Sequence, residues 1–234
     1  MKVLVDYDNI PLAYRNFGVL YLADRISTQI LRAVPLCSSF DFRLYGGWNE
    51  NWSSTRRAQL LNAELGASFP RIIRSSHIDP PVSIRWHAVL AQSLESLPRK
   101  LLENTVRTVP FEKQLQCHSA ATIGCANPQC PLDHMASFLN AGTCPKPGCN
   151  KIPAMVLKST EQKLIDTMIV ADLLHLTNQG EKAVAIVSSD DDMWPGIIQA
   201  MQTQAHVLHL QTHGPKQSLP YRKNVPGSYT SLEL

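Results

Sequence analysis

Two short apolar runs in this chain each stop on aspartate: "KVLVD" ends at Asp6, and "KAVAIVSSD" ends at Asp190. Runs of aliphatic residues without polar alternation suit strands buried on both faces, which are the strands of a parallel sheet. The chain between them changes period repeatedly. Residues 12–33 space their apolar side chains near the 3.6 period and predict a helix. "FDFRLYGGW" alternates and stops at Gly46-Gly47, which predicts a second strand and turn. Residues 53–65 read as helical, "RIIRS" as a short third strand, and residues 84–102 as one or two helices. In "STEQKLIDTMIVADLLHLTNQG" Ser159 or Thr160 suits a helix N-cap, and Gly180 sits where a C-terminal glycine stops a helix. A helix over 195–204 and a strand "AHVLHL" follow, and the tail from Thr212 reads as irregular. Strands alternating with helices imply a parallel sheet covered on both faces. Such sheets bind ligands beyond the carboxyl ends of their strands, where Asp6 and Asp190 fall.

A chain of 234 residues has room for one generous domain, or one domain carrying an inserted module. No run of eighteen apolar residues occurs and no leader pattern opens the sequence, so a cytoplasmic protein without membrane spans is expected. The net charge of +3 is mild but unevenly spread. Residues 51–110 hold eight basic residues against four acidic ones, whereas residues 161–200 hold seven acidic residues against Lys163 and Lys182. That separation suits a polyanion gripped by one surface and processed at another, and it also suits ordinary solvated helix faces.

The acidic residues come from three separated segments: Asp6 with Asn9; Asp166 and Asp172, with Lys163 one turn before Asp166; and Ser188, Asp190 and Asp192. Adjacent first and penultimate strands would make Asp6, Asp166 and Asp190 converge. Two carboxylates about 4 Å apart repel by roughly 4 kcal/mol at an effective dielectric near 20, so a converging set calls for protons or a divalent cation. Oxygen ligands without histidine favour Mg²⁺ or Mn²⁺, ions that orient a phosphodiester and activate water. Asp8 reads as a solvated or turn-capping neighbour, and Asp191 as pointing away from the cluster. Asp172 lies over one and a half turns from Asp166, so it shares that face only in part.

"VDYDN", "EQKLIDTMIVADLL" and "VSSDDDMWPGI" together resemble the three motifs of NYN domains, a branch of the PIN-like nuclease superfamily. That family shows Asp-x-x-Asn after its first strand, a Lys-x-x-Asp-x5-Asp helix and a Ser-x-Asp-x-Asp strand end. Here these fall on Asp6 and Asn9; on Lys163, Asp166 and Asp172; and on Ser188, Asp190 and Asp192. The resemblance covers roughly 1–75 and 158–210, with Met193 standing where the family often has an aromatic residue. It implies a three-layer PIN-like α/β fold with a mostly parallel sheet, and metal-dependent hydrolysis of phosphodiesters, usually in RNA. The implied ligands are Asp6, Asp166, Asp190 and Asp192. Asn9 and Ser188 would position them, and Lys163 would contact the scissile phosphate. Arg56, Arg57, Arg71 and Arg74 are candidates for a nucleic-acid track.

Five of six cysteines lie within 117–149, a stretch crowded with Pro, Gly and Asn. Clustered cysteines in a cytosolic chain point to metal rather than disulfides. Cys125-x4-Cys130 and Cys144-x4-Cys149 make one plausible zinc ribbon; Cys117, Cys125, Cys130 and His134 make a competing CCCH set. Either zinc would be structural, because the segment is too poor in apolar residues to bury a core. The expected organisation is therefore 1–110 and 158–211 as the two parts of one domain, 111–157 as an inserted zinc module, and 212–234 as a tail. The leading functional expectation is a Mg²⁺/Mn²⁺-dependent endoribonuclease. A non-catalytic RNA-binding adaptor of the same fold and a DNA- or structure-specific nuclease are the alternatives. Oligomeric state is not encoded in these patterns.

Overall fold

The computed structural model describes residues 1–74, 81–110, 118, 122, 127, 130–213 and 228–234. Two compact units are present. One comprises Met1–Val106 with Gln162–Leu234, and the other Arg107–Glu161.

The larger unit opens with β1 (Lys2–Asp6), α1 (Leu12–Asn16) and α2 (Val19–Ala33). The single helix expected over 12–33 is thus two, broken at Gly18, whose φ of +87° is a conformation L side chains avoid. The Glu64 carboxylate accepts the Val19 N–H at 2.7 Å and so caps the positive end of α2 from another helix. β2 (Ser39–Tyr45) leads into a tight hairpin of β3 (Asn49–Glu50) and β4 (Ser53–Ser54). Its two loop residues, Asn51 and Trp52, have φ of +48° and +70°, as a type I′ turn requires. α3 (Arg56–Ser68) starts from Thr55, whose hydroxyl accepts the Ala58 N–H. β5 (Arg71–Arg74) and β6 (Ser83–Leu90) follow. Residues 84–90 are therefore strand, not helix: Ile84, Trp86 and Ala88 are buried in strict alternation, and β6 pairs in parallel with β2.

The smaller unit is framed by β7 (Val106–Pro110) and, after α4 (Pro131–Ala141) and α5 (Pro153–Val156), by β8 (Lys158–Gln162), which pairs with β7. Ser159 and Thr160 accordingly belong to a strand and not to the start of a helix. The next helix, α6 (Ile165–Asn178), begins after Leu164 with no side-chain cap, and Gly180 at φ +92° ends it. β9 (Ala183–Val187), a short 3₁₀ turn (Asp191–Met193), α7 (Trp194–Gln202) and β10 (His206–Gln211) complete the helical face. The tail expected to be irregular carries a strand among its described residues, because β11 (Tyr229–Glu233) pairs in parallel with β10.

The seven-stranded sheet runs β11-β10-β9-β1-β2-β6-β5, parallel throughout except for β5 at one edge. Side-chain parity divides the core into two layers. Val3 and Val5 face the side packed by Val19, Leu22, Ile26 and Ile30 of α2, while Leu4 faces Met168, Ile169, Leu173 and Ile197 of α6 and α7. The sheet order turns outward on both sides of β1: β2 follows on one flank and β9 returns on the other. This topological switch point sits where β1 and β9 end. No helix among the described residues is long and apolar enough to cross a membrane.

Candidate metal centre

Parity also selects what reaches the switch point. Asp6 shares the Leu4 face of β1, and Ser188 shares the Val184 and Ile186 face of β9, so the two point to the same side. The Ser188 hydroxyl donates to Asp6 Oδ2 at 3.1 Å and accepts the Asp190 N–H at 3.0 Å. Asp6 Oδ1 accepts the Asn9 N–H at 3.2 Å, and Asn9 Oδ1 accepts the Ser189 N–H at 2.9 Å. The turn after β1 is thereby laced to the end of β9. Asp166 enters from above, in the first turn of α6, where the helix dipole favours a carboxylate.

Asp6, Asn9, Asp166 and Asp190 line an open cleft of about 300 Å³, together with Asp8, Gln162, Leu164, Ile165 and Thr167. Asp166, Asp190 and Asp192 each offer an oxygen, and those atoms lie within 4.8 Å of one another. Asp190 Oδ1 accepts the Asp192 N–H at 3.1 Å, which folds the 3₁₀ turn and keeps Asp192 beside Asp166 and Asp190. Asp6 stands outside this trio, deeper and only 5% exposed. Asp191 is likewise outside it.

The electrostatics match this crowding. Burial pushes the Asp6 carboxyl up to about 7, against the hydrogen bonds from Ser188 and Asn9; the charges of Asp166 and Asp8 raise it further. Asp166 is raised by burial and then by the charges of Asp190 and Asp192. A set of oxygen donors held this close, with one member driven toward protonation, fits a hard divalent cation and disfavours the bare carboxylates. A pH effect follows. Folded Asp6 keeps its proton to about pH 7, while the unfolded chain releases it near the ordinary value of 3.8. The stability this group contributes is therefore full below that ordinary value and is lost as pH rises to about 7. Metal-free protein should accordingly melt at falling temperature between pH 5 and 7.5, roughly, and Asp6→Asn should flatten that slope. An equal slope in the variant would remove Asp6 as its source.

No family model, no curated protein and no solved structure matches this chain.

Several candidates take other places. Asp8 lines the cleft but is spent on Arg57 and Arg15 and accepts the Gly47 N–H at 3.1 Å. Lys163 lies outside α6, between two cleft-lining residues, and its N–H donates to the Thr105 carbonyl at 2.9 Å. Asp172 is fully buried between α6 and the sheet and is away from the cleft. Its carboxylate takes Arg43 Nε at 3.1 Å, the Tyr45 hydroxyl at 2.7 Å and the Glu95 N–H at 2.7 Å. The four arginines are not gathered into one track. Arg57 lies over the Tyr7 and Trp48 rings, and Arg56 is exposed at the start of α3. Arg71 and Arg74 are exposed on the outermost strand, opposite Trp86 and Ser83, toward the amino end of β6.

Thr212 and His209 were not singled out from the sequence, yet both brace the site. Thr212 Oγ1 donates to Asn9 Oδ1, and its N–H donates to Ser189 Oγ at 2.8 Å. His209 Nε2 donates to the Ser188 carbonyl at 2.9 Å, which leaves Nδ1 to accept from the Tyr229 hydroxyl at 2.9 Å. Only the presence of a histidine inside the apolar strand HVLHLQ hinted at this.

In the smaller unit the Cys144–Cys149 knuckle is closed by the Cys144 N–H donating to the Lys151 carbonyl at 2.9 Å. The Lys151 backbone and the Cys144 thiol together hold the Cys149 thiol below its ordinary value. Among the described residues Cys130, His134, Cys144 and Cys149 do not converge as a group of three, and Cys117 and Cys125 lie outside the described residues. Cys37 is half-buried, and its thiol donates to the Ser39 carbonyl.

Proposed function

We propose that the chain is a Mg²⁺- or Mn²⁺-dependent endoribonuclease of the NYN, PIN-like type. The observation that carries this reading is the meeting of Asp166, Asp190 and Asp192 within 4.8 Å at the switch point of a parallel sheet. A bound divalent cation would supply Lewis-acid polarisation of the phosphodiester and a water of lowered pKa. Asp166, Asp190 and Asp192 would hold it, and Asp6 would supply a fourth carboxylate from the floor. Ser188 and Asn9 fix the orientation of Asp6 and of the β9 end, so the carboxylates need little rearrangement before reaction. Lys163, flanked by Gln162 and Leu164 at the cleft, contacts the substrate phosphate. The openness of the cleft suits a polymer rather than a small molecule.

The cysteine module is assigned a structural zinc on Cys125, Cys130, Cys144 and Cys149, with Cys117 and His134 as the alternate donors. A reducing, cytoplasmic setting fits a cysteine cluster that serves metal rather than disulfides.

Labelled single- and double-stranded RNA and DNA, each incubated with Mn²⁺, Mg²⁺ or EDTA, test the function. RNA cleavage with either ion and none with EDTA is expected. Binding without cleavage would make the chain an adaptor, and cleavage of DNA alone would move it to the DNA-specific class. Elemental analysis of the same preparation should return zinc; its absence would remove the structural ion.

A further inference from the structure

Trp52 is displayed by the fold and unused by the carboxylates. Of the four tryptophans, Trp48, Trp86 and Trp194 are 0%, 3% and 5% exposed, whereas Trp52 is 75% exposed. It occupies the second loop position of the β3–β4 hairpin at φ +70°, where glycine is the usual residue. The sequence thus places its largest side chain type where the backbone tolerates one least, and gains no burial for it. Broken local rules of this kind, without a packing return, concentrate at functional positions.

The hairpin is firmly anchored. The Asn51 N–H donates to Asn104 Oδ1 at 2.9 Å, and the Trp48 and Asn49 N–H groups donate to Thr105 Oγ1 at 2.9 and 3.0 Å. Gln59 Nε2 donates to the Ser54 carbonyl at 3.0 Å. The same anchors tie it to the cleft. Gly47, just before the hairpin, donates its N–H to cleft-lining Asp8, and the Thr105 carbonyl accepts the N–H of Lys163. β2 ends level with β1, Tyr45 opposite Asp6, so hairpin and carboxylates rise from the same edge of the sheet. Exposed Arg56 follows two residues after β4 and adds positive charge there.

We infer that Trp52 is a stacking platform for an unpaired base of a single-stranded nucleic acid whose backbone enters the carboxylate cleft. This rests on the nuclease reading above and adds a substrate class to it. An indole face stacks on any base regardless of sequence, but a base held inside a duplex offers no free face. The platform therefore selects single strands, and the carboxylates act on the phosphates beside the stacked base.

Trp52→Gly, which suits the turn, and Trp52→Phe, which keeps a ring, make the test. Binding is measured in EDTA with single-stranded RNA, the same strand carrying an abasic position, and duplex RNA; cleavage is measured with Mn²⁺. Trp52→Gly is expected to bind the single strand about tenfold more weakly, with Trp52→Phe close to the unaltered protein. Duplex binding should barely change, and the single strand should quench the fluorescence of the exposed tryptophan while the buried three supply the residual signal. Equal single-strand affinity of Trp52→Gly and the unaltered protein, or an equal loss for duplex and single strand, would overturn the platform alone. Failure of the unaltered protein to cleave any substrate would overturn the nuclease reading beneath it.

Discussion

Asp190→Asn is expected to lower Mn²⁺-dependent cleavage on the order of a thousandfold while leaving the protein folded. The two effects separate because the residue does two jobs through different atoms and charges. Its Oδ1 accepts the Asp192 N–H, and its own N–H is held by Ser188 Oγ. An asparagine keeps both bonds, so the 3₁₀ turn survives. What disappears is one negative charge from a trio whose oxygens lie within 4.8 Å. Each close pair in that trio is unfavourable by about 3.5 kcal/mol or more at an effective dielectric near 20 before screening, which at exposed Asp192 reduces this. Metal-free Asp190→Asn should therefore melt at the same temperature as the unaltered protein or slightly higher, with Asp166 returning toward its ordinary pKa. Thermal melts in EDTA beside cleavage rates in Mn²⁺ measure both. A marked drop in melting temperature would recast Asp190 as structural.

Asp172→Ala should do the opposite. Its carboxylate is fully buried and accepts from Arg43, Tyr45 and the Glu95 backbone at once. Tyr45 is pushed up by burial and by that negative charge, so its hydroxyl stays a donor. Truncating one member of such a network leaves the Arg43 guanidinium without its buried counter-charge, which costs about 3 to 5 kcal/mol. Much of the stability of an ordinary domain is at stake, because such domains hold only about 5 to 15 kcal/mol. Urea unfolding reads the loss directly. A midpoint unchanged by Asp172→Ala would mean that the network has no net worth. Asp166 and Asp172 sit six residues apart on one helix, yet one serves the cleft and the other the core. Six residues turn an α-helix through more than one and a half turns, which separates those two faces.

The parts of the site visible in the sequence are those set by short-range geometry. Alternation along "KVLVD" and "KAVAIVSS" puts Asp6 and Ser188 on one face of neighbouring parallel strands, and the sheet order brings those strand ends together. Asp190 and Asp192 follow within the same turn. What the sequence hid was decided by partners far along the chain. Arg43 and Asp172 are separated by 129 positions, and Thr212 and Asn9 by 203, so neither pairing leaves a local mark. Residues 84–102 combine a real alternation up to Leu90 with leucines at 90, 94, 97 and 101 that imitate helical spacing. Pairing with β2 decides for the strand. Lys163 was placed in a helix because Ser159 and Thr160 resemble a cap, but pairing of β8 with β7 claims those residues first. β11 was hidden because β10, the strand it pairs with among the described residues, lies on the far side of a segment rich in Pro, Ser and Lys.

Titration of Mn²⁺ into the metal-free protein near neutral pH, followed by calorimetry for the unaltered chain and for Asp190→Asn, addresses the cation centre most directly. Saturable binding in the unaltered protein, accompanied by proton release as Asp6 ionises and abolished in Asp190→Asn, is the expected result. Absence of saturable binding, or equal binding by the variant, would contradict a divalent-cation site at this cleft.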